Sequence, residues 1–375
     1  MNVSEAPITL ETLNTEELME RIPTIVYLSL VVVIGIPGNT LVILIYFGSL
    51  WKLEGAHWTF IRTITIVDFF MCIIHIPFEF YQQTHQLTFY SESACKSFKV
   101  ISVHLSVMAA LLLVMMSANR LYRIWWPLKV PLSTRQALVC VIILGSFVTA
   151  VSWPEGILSG INLKQRKNNI TGYDCGIADS YKRTTHPFAY SFVLLVGFIL
   201  CVSSLITIYA IIWNKLRRKG NFRSTSSIHI SAQINIPNEQ SGVQTVTLGD
   251  ESSISSKTVS KKNKDNSSGA GIKSPQRQRK TSQRNRESRR VSKTAFVLSI
   301  AFILSYLPYI TVKMVAALSN GQYKSDSITQ GIIPILSRSF LLNNIINPFV
   351  YLCLDHTFLT QCKRVMFCRT RCILH

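Results

Sequence analysis

Residues 95–123 read CKSFKVISVHLSVMAALLLVMMSANRLYR, and this stretch decides the fold. An apolar run from Val100 to Met116 lies between a cysteine and the basic signature NRLYR at positions 119–123. A helix carries the 25 positions from Cys95 to Arg120 over roughly 37 Å, which is enough to cross the hydrocarbon core of a bilayer. The stretch therefore predicts a membrane helix with a functional group at each end.

The rest of the chain has the composition of a membrane protein, with 48% hydrophobic and 15% charged residues among its 375 positions. Seven apolar segments have the length of a membrane span. They are Thr24 to Phe47, Trp58 to Tyr81, Val100 to Asn119, Ala137 to Leu158, Phe188 to Trp213, Thr294 to Leu318 and Ile328 to Cys353. Because backbone groups in lipid must be satisfied internally and these runs lack strict alternation, we expect an all-α bundle of seven transmembrane helices.

The net charge of +20 comes from basic residues that collect on one side of the predicted spans. They lie after span three, between spans five and six and after Cys353, whereas the first 23 residues are acidic. By the positive-inside rule, the amino terminus is outside the cell and the carboxyl terminus inside. This distribution indicates a multi-pass plasma-membrane protein whose basic loops meet lipid headgroups, and not a nucleic-acid binder.

The topology divides the chain into three parts. Residues 1–23 form an extracellular segment, residues 24–355 form the seven-helix domain, and residues 356–375 form an interfacial helix with a cytoplasmic tail. Within the domain, residues 215–293 are rich in Ser, Asn, Lys, Arg and Gln and have almost no apolar clusters. We therefore expect a long disordered cytoplasmic loop between spans five and six.

Covalent modification is predicted at both faces. Cys95 and Cys175 are the two cysteines assigned to the oxidising side, which predicts a disulfide from the top of span three to the second outer loop. Asn2 and Asn169 begin glycosylation sequons on the same side.

The tail after span seven has an amphipathic pattern. Phe358, Leu359 and Cys362 share one helical face, and Lys363 lies on the opposite face, as expected for a short helix on the membrane surface. Cys362 and Cys368 are the candidates for palmitoylation.

Polar residues inside the spans are expensive in lipid and therefore mark a site or a structural polar cluster. Asp68 lies near the centre of span two, Asn39 in span one, and Asn343 and Asn347 in span seven. A hydrogen-bonded structural Asp68 and an ion or water site are both compatible with this pattern. Pro308 interrupts span six and predicts a bend.

The order of several landmark residues along the seven predicted spans resembles that of the rhodopsin-like (class A) family of G-protein-coupled receptors. The resemblance extends from about Thr24 to Cys368. Its landmarks are Gly38-Asn39, Asp68, Cys95, Arg120, Cys175, Tyr209, Phe302, Pro308 and Asn347-Pro348-Phe349-Val350-Tyr351.

The resemblance implies a receptor that binds an extracellular ligand inside the bundle and activates heterotrimeric G proteins. Arg120 would be the centre of the cytoplasmic switch, and Tyr209 and Tyr351 would swing toward it during activation. The switch residues are Asn119, Arg120, Tyr209, Asn347, Pro348 and Tyr351. The hinge of span six is formed by Phe302, Tyr306 and Pro308, and the polar centre, where sodium would bind, by Asn39, Asp68, Asn343 and Asn347.

The sequence departs from the family pattern at several of these positions. Asn119 replaces the acidic residue before Arg120 and cannot form an ion pair, so we expect a weaker resting lock and ligand-free signalling. Tyr306 replaces the usual tryptophan above the hinge, and Ala109 replaces a serine that often coordinates sodium.

The ligand is the least specified part of the function. Ser102 stands where amine receptors have an aspartate, which argues against an amine ligand. Lys99 and Arg338 make an anionic group on a lipid, an indole-like molecule or a peptide plausible, with solvated or headgroup-facing charges as the alternative. The candidate pocket residues are Lys99, Ser102, Tyr306, Lys313 and Arg338. The signature at 119–120 is also similar to that of melatonin-like receptors and their invertebrate relatives.

A transporter or channel that uses Asp68 and the span-seven asparagines is the competing class, although no inverted repeat supports it. An enzyme is not expected, because the sequence has no catalytic triad, metal-ligand or phosphate-loop motif. The predicted partners are the ligand, a heterotrimeric G protein, membrane lipids, and kinases and arrestin at the long cytoplasmic loop.

Overall fold

The computed structural model describes residues 9–48, 54–166, 169–234, 275–318, 327–355 and 358–364, with side chains outside the description at 218–234, 275–291, 316–318 and 327–330. The described chain is helical apart from one β-hairpin. The helices are α1 (Leu10–Phe47), α2 (Ala56–Phe70), α3 (Ile76–Thr84), α4 (Glu92–Trp125), α5 (Thr134–Leu158), α6 (His186–Ile234), α7 (Pro275–Leu318), α8 (Ser327–Leu336), α9 (Leu342–Leu354) and α10 (residues 358–364). A π-helical turn, Met71–His75, joins α2 to α3.

The predicted all-α membrane fold is confirmed. Six helices of the described chain are long and apolar enough to cross a membrane, and they correspond to predicted spans one to six. The seventh span is helical in two pieces, α8 and α9, joined through a 3-10 turn at Ser339–Leu341. The short helix predicted after span seven is α10.

Hydroxyl side chains cap helices α4 and α5 ahead of their apolar runs. Ser91 caps α4 by accepting a hydrogen bond from the amide of Ala94. Ser133 and Gln136 form a reciprocal capping box at the start of α5. Such caps satisfy amides that have no partner within the helix, so they fix where each span begins.

Three helix boundaries differ markedly from the sequence prediction. Helix α1 begins at Leu10, well before Thr24, because Thr9 caps it and Asn14 bonds to the end of α3 through the carbonyl of Thr84, at 3.0 Å. Helices α6 and α7 extend into the predicted disordered loop at both ends, since Lys, Arg and Gln are good helix formers even without an apolar pattern. Residues 235–274 of that loop lie outside the described residues.

The chain forms two compact units. One comprises Met1–Ile212 with Ser288–His375 and contains the membrane core and the sites described below. The other comprises Trp213–Glu287, where α6 ends and α7 begins.

The core of the first unit is organised around α4, which packs against α2, α5 and the hairpin. Leu112 and Met116 of α4 are fully buried. Close approach between α1 and the π-helical turn depends on Gly35, because a Cβ there would lie 2.6 Å from the sulfur of Cys72.

The hairpin closes one end of the bundle. Strands β1 (Ser159–Gln165) and β2 (Thr171–Ile177) are antiparallel, with Ile161 opposite Cys175. Between them, Asn169 adopts a positive φ of 58° and is exposed, which fits a turn and leaves its sequon accessible. The other sequon, at Asn2, lies outside the described residues.

Candidate functional site

The predicted disulfide is confirmed: Cys95 and Cys175 are bonded, with their Cα atoms 5.5 Å apart. The bond fixes the hairpin to the start of α4, and Gln82 of α3 adds a hydrogen bond to the carbonyl of Cys175 at 2.8 Å. The second strand and the ends of α3 and α4 therefore form one rigid rim. We call this the disulfide end of the bundle and the opposite end the Arg120 end.

Two of the predicted pocket cations meet at a buried carboxylate below this rim. Arg338 Nε donates to Glu79 Oε2 at 2.7 Å, and Lys99 Nζ lies 3.9 Å from Glu79 Oε1. Lys99 also donates to the side-chain oxygen of Gln82 at 3.3 Å. His75, one helical turn before Glu79, lies 3.9 Å from the same carboxylate. We call Glu79, Arg338, Lys99 and His75 the Glu79 cluster.

The other predicted pocket residues connect to this cluster through His75 and Phe340. Ser102 Oγ lies 3.4 Å from His75 Nε2, and the rings of His75 and Phe340 are 6.2 Å apart. Phe340 in turn contacts Tyr306, with ring centroids 5.7 Å apart. Lys313 stands apart from the carboxylate, with its ammonium 5.8 Å from the Tyr309 ring.

Sequence reasoning missed Glu79, His75 and Phe340 as members of this site. The spacing of His75 and Glu79, four residues apart on a helix, was a usable signal because such side chains lie on one face. Phe340 had no comparable signal, since an aromatic residue in an apolar span is usually ordinary packing.

The predicted polar centre is assembled in the middle of the bundle. Asn347 Nδ2 donates to Asp68 Oδ2, which joins α9 to α2. Asn39 Nδ2 donates to the carbonyls of Asn344 at 2.9 Å and Gly35 at 3.0 Å, which joins α1 to α9. These bonds hold three helices together through buried polar groups.

Several oxygens of this centre have no hydrogen-bond partner among the described residues. They are Asp68 Oδ1, Asn39 Oδ1, Asn343 Oδ1 and Asn347 Oδ1. Carboxylate and amide oxygens are the ligands of hard cations, and unpaired buried acceptors also suit ordered water. The unpaired oxygens of Asp68 and of Asn347, which is in contact with it, therefore fit a hard cation such as sodium.

The predicted hinge of α7 lies at Pro308, inside the helix. Ser339 Oγ donates to the carbonyl of Ser305 at 2.7 Å and accepts from the amide of Tyr309 at 3.1 Å. These two backbone groups are the pair that a regular helix would join, so a side chain from the 3-10 turn bridges the ladder beside the proline.

Aromatic packing surrounds this bridge on the α6 side. The rings of Phe302 and Tyr306 are 4.4 Å apart, and Phe198 contacts Tyr306 with 5.9 Å between centroids. Tyr306, which replaces the expected tryptophan, thus occupies the centre of the stack between α6, α7 and Phe340.

At the Arg120 end, the predicted switch residue Arg120 is buried and only 3% exposed. Its Nε and Nη2 atoms have no hydrogen-bond partner among the described residues, and neither does Asn119 Oδ1. Burying a guanidinium without its anion is costly. Arg120 is therefore held by packing rather than by the ion pair that an acidic residue at position 119 would form.

Tyr209 does not bond to Arg120 but links three helices beside it. Its hydroxyl is 2.9 Å from Ser117 Oγ of α4 and 3.4 Å from Ser299 Oγ of α7. Its ring packs edge-on against Phe296, with 5.1 Å between centroids. The hydroxyl thus ties α4 and α7 to α6 near the switch.

Tyr351 is directed elsewhere. Its buried ring packs edge-on against Tyr46, with 5.8 Å between centroids, and lies 6.1 Å from Phe358 of α10. The neighbouring Pro348 approaches α1 closely, since a Cβ on Gly38 would lie 3.1 Å from its ring.

Of the two palmitoylation candidates, Cys362 is buried with Phe358 against the core. Acylation of Cys362 would require this side chain to leave its packing. Cys368 lies outside the described residues.

A family model described as the 7 transmembrane receptor (rhodopsin family) matches residues 38–351. A search of curated proteins finds no match.

Proposed function

The chain belongs to the rhodopsin family of seven-transmembrane receptors, and from this premise we propose that Arg120 is its G-protein switch and the Glu79 cluster part of its ligand site. As a family member it is a multi-pass membrane receptor and not an enzyme, with a ligand and a G protein as partners. The family also favours a receptor over the competing transporter or channel.

One observation carries the assignment of the switch. Arg120 is buried without an anionic partner among the described residues, next to the three-helix junction at Tyr209. In the resting state this junction keeps α7 against α4 and covers the guanidinium. When α7 moves away from Tyr209, Arg120 becomes free to bind the G protein.

A connected set of contacts supports coupling between the two ends. Arg338 is followed by Ser339, whose side chain bridges the hinge, and by Phe340, whose ring contacts Tyr306. A ligand that shifts Arg338 therefore acts on the backbone beside Pro308. Helix α7 has two packings, and the ligand and the G protein each bind one of them more tightly than the other. The affinities of the two partners are therefore coupled.

Sodium is the remaining component of this proposal. Held by Asp68 and the asparagine oxygens, it would neutralise a buried carboxylate and stabilise the resting packing. The four unpartnered oxygens support its binding there, and Asp68 supplies the only carboxylate among them.

The protein is proposed to lie in the plasma membrane with its amino terminus and hairpin outside. The acidic first residues, the basic segments near Arg123 and after Lys215, and the exposed sequon at Asn169 support this orientation. Kinases and arrestin are proposed to act at the loop between α6 and α7. Relation to melatonin-like receptors and their invertebrate relatives rests on the signature at 119–120 alone.

The switch is tested by basal coupling of the full chain to a panel of G-protein subtypes. Arg120→Ala should abolish the basal signal of the wild type at equal surface expression. Arg123→Ala is the matched control, because Arg123 is exposed at the end of the same helix, and it should retain most of the signal. Equal coupling of the two variants would contradict the assignment.

A further inference from the structure

We propose that the Glu79 cluster binds the anionic group of an amphiphilic ligand, a carboxylate or a phosphate. The apolar body of the ligand would lie against the aromatic side chains next to the cluster. The inference rests on the proposed function, and it names the chemical class of the ligand.

The first step is the charge balance of the cluster. Glu79 lies within 4 Å of two permanent cations, Arg338 and Lys99. Its close hydrogen bond goes to Arg338, and the 3.9 Å to Lys99 is beyond hydrogen-bond range. The hydrogen bond of Lys99 goes to the neutral amide of Gln82. His75 in either protonation state adds no negative charge, so one positive charge remains unmatched.

Among the described residues, no carboxylate besides Glu79 forms an ion pair with Lys99. Asp174 pairs with Lys164 at 2.8 Å, and Glu17 pairs with Arg166. Glu155 accepts a hydrogen bond from Ser159 at 3.2 Å. The unmatched charge at Lys99 is therefore available to an anion from outside the chain.

Accessibility identifies Lys99 as the residue that meets the ligand. Its side chain is 24% exposed, against 16% for Arg338 and 9% for Glu79. A partly desolvated cation gains most from a charged partner, because the pair is weakly screened there. A ligand anion would bind Lys99 and share the guanidinium of Arg338 with Glu79.

The apolar requirement follows from the neighbouring rings. Phe340 lies between His75 of the cluster and the two tyrosines of α7, at 5.7 Å from Tyr306 and 5.0 Å from Tyr309. Tyr306 and Phe340 are buried against each other, and Tyr309 is half-buried. An inorganic anion would contact none of these rings, whereas the apolar body of a fatty acid, a lysophospholipid or an aromatic acid would pack against Tyr309 beside them.

This arrangement makes Glu79 an internal competitor of the ligand. Removing a cation should weaken binding of an acid, and removing the carboxylate should strengthen it. A merely structural ion network would give no such opposite changes, since both substitutions would only destabilise the fold.

The test uses the full-length receptor in phosphatidylcholine nanodiscs with matched acidic and neutral probes. The probes are oleate and oleyl phosphate against oleyl alcohol, and indole-3-acetate against indole-3-ethanol, which separates lipid from aromatic sources of the anion. Affinity and thermal stabilisation are measured for each probe. At least one acid should bind about tenfold or more tightly than its neutral counterpart, a difference of about 1.4 kcal/mol.

The variants assign that preference to the cluster. Lys99→Gln should remove the preference, and Glu79→Gln should raise acid affinity about tenfold, with the acid restoring any lost thermal stability. The control is Lys96→Gln, because Lys96 lies on the same helix and pairs with Glu92 at 2.5 Å.

Three outcomes would overturn the proposal: no acid binds, neutral probes bind equally, or Lys99→Gln and Lys96→Gln behave alike. Basal G-protein coupling that persists in any of these cases leaves the receptor function intact. Acid binding by a chain that couples to no G protein would instead overturn the proposed switch.

Discussion

Replacing Ser339 by alanine removes the side chain that bridges the hinge of α7. The Ser339 hydroxyl contacts the Ser305 carbonyl at 2.7 Å and the Tyr309 amide at 3.1 Å, and the serine is only 6% exposed. Pro308 cannot donate a backbone hydrogen bond, so the helix is already weakened at this point. The substitution would leave two backbone groups there without the bridging hydroxyl.

A hydrogen bond contributes about 0.5–1.5 kcal/mol net, and a buried polar group left without a partner costs about 1–3 kcal/mol. For two bonds we expect Ser339→Ala to lower the free energy of unfolding by about 2 kcal/mol. Since the bridge also ties α7 to the turn before α9, its loss should raise basal G-protein coupling. Thermal unfolding of the purified receptor and basal coupling in cells measure the two effects.

Ser305→Ala is the matched control. Its hydroxyl donates to the Ala301 carbonyl at 2.7 Å within the same helix, so Ser305→Ala removes one hydrogen bond, worth about 0.5–1.5 kcal/mol, and leaves the Ser339 bridge in place. Ser339→Thr keeps a hydroxyl and should resemble the wild type more than Ser339→Ala does. If Ser339→Ala and Ser305→Ala melt together and couple alike, the bridge does not restrain the hinge.

Three further predictions concern the lock, the rim and the polar centre. Asn119→Asp should lower basal coupling, because an aspartate would supply the ion pair that Arg120 lacks; equal basal output from the two proteins would count against a weakened lock. Cys175→Ala opens a disulfide with a sequence separation of 80, which corresponds to about 4–5 kcal/mol in the chain-entropy estimate, so ligand response and surface expression should fall. Unchanged response and expression would show that the hairpin is held without Cys95. Asp68→Asn should abolish any gain in melting temperature when sodium replaces choline in the buffer, and a sodium effect that survives the substitution would locate the ion elsewhere.

Much of the architecture was predictable from the sequence because a bilayer imposes it locally. A span needs about twenty apolar residues, and basic residues mark the inner side, so the topology follows without knowledge of contacts. The pairing of Cys95 with Cys175 was equally accessible, since topology left those two cysteines on the oxidising side.

The boundaries were less accessible where helices continue in polar sequence. The first helix starts at Leu10 because Asn14 bonds to the carbonyl of Thr84, at the end of α3, and to the amide of Leu87 just beyond it. No apolar pattern records these contacts. The extensions of α6 and α7 similarly follow from backbone propensity, which hydropathy does not measure.

The sequence by itself determined the number of spans, their order, the disulfide and the position of an unusual Asn119 beside Arg120. Only the tertiary structure decided that Glu79 pairs with Arg338, 259 positions away, and that Ser339 bridges the hinge at Pro308. The physical reason is that composition fixes whether a segment is a membrane helix, while packing against the other helices fixes its rotation. A side chain's partner depends on that rotation and therefore on the whole bundle.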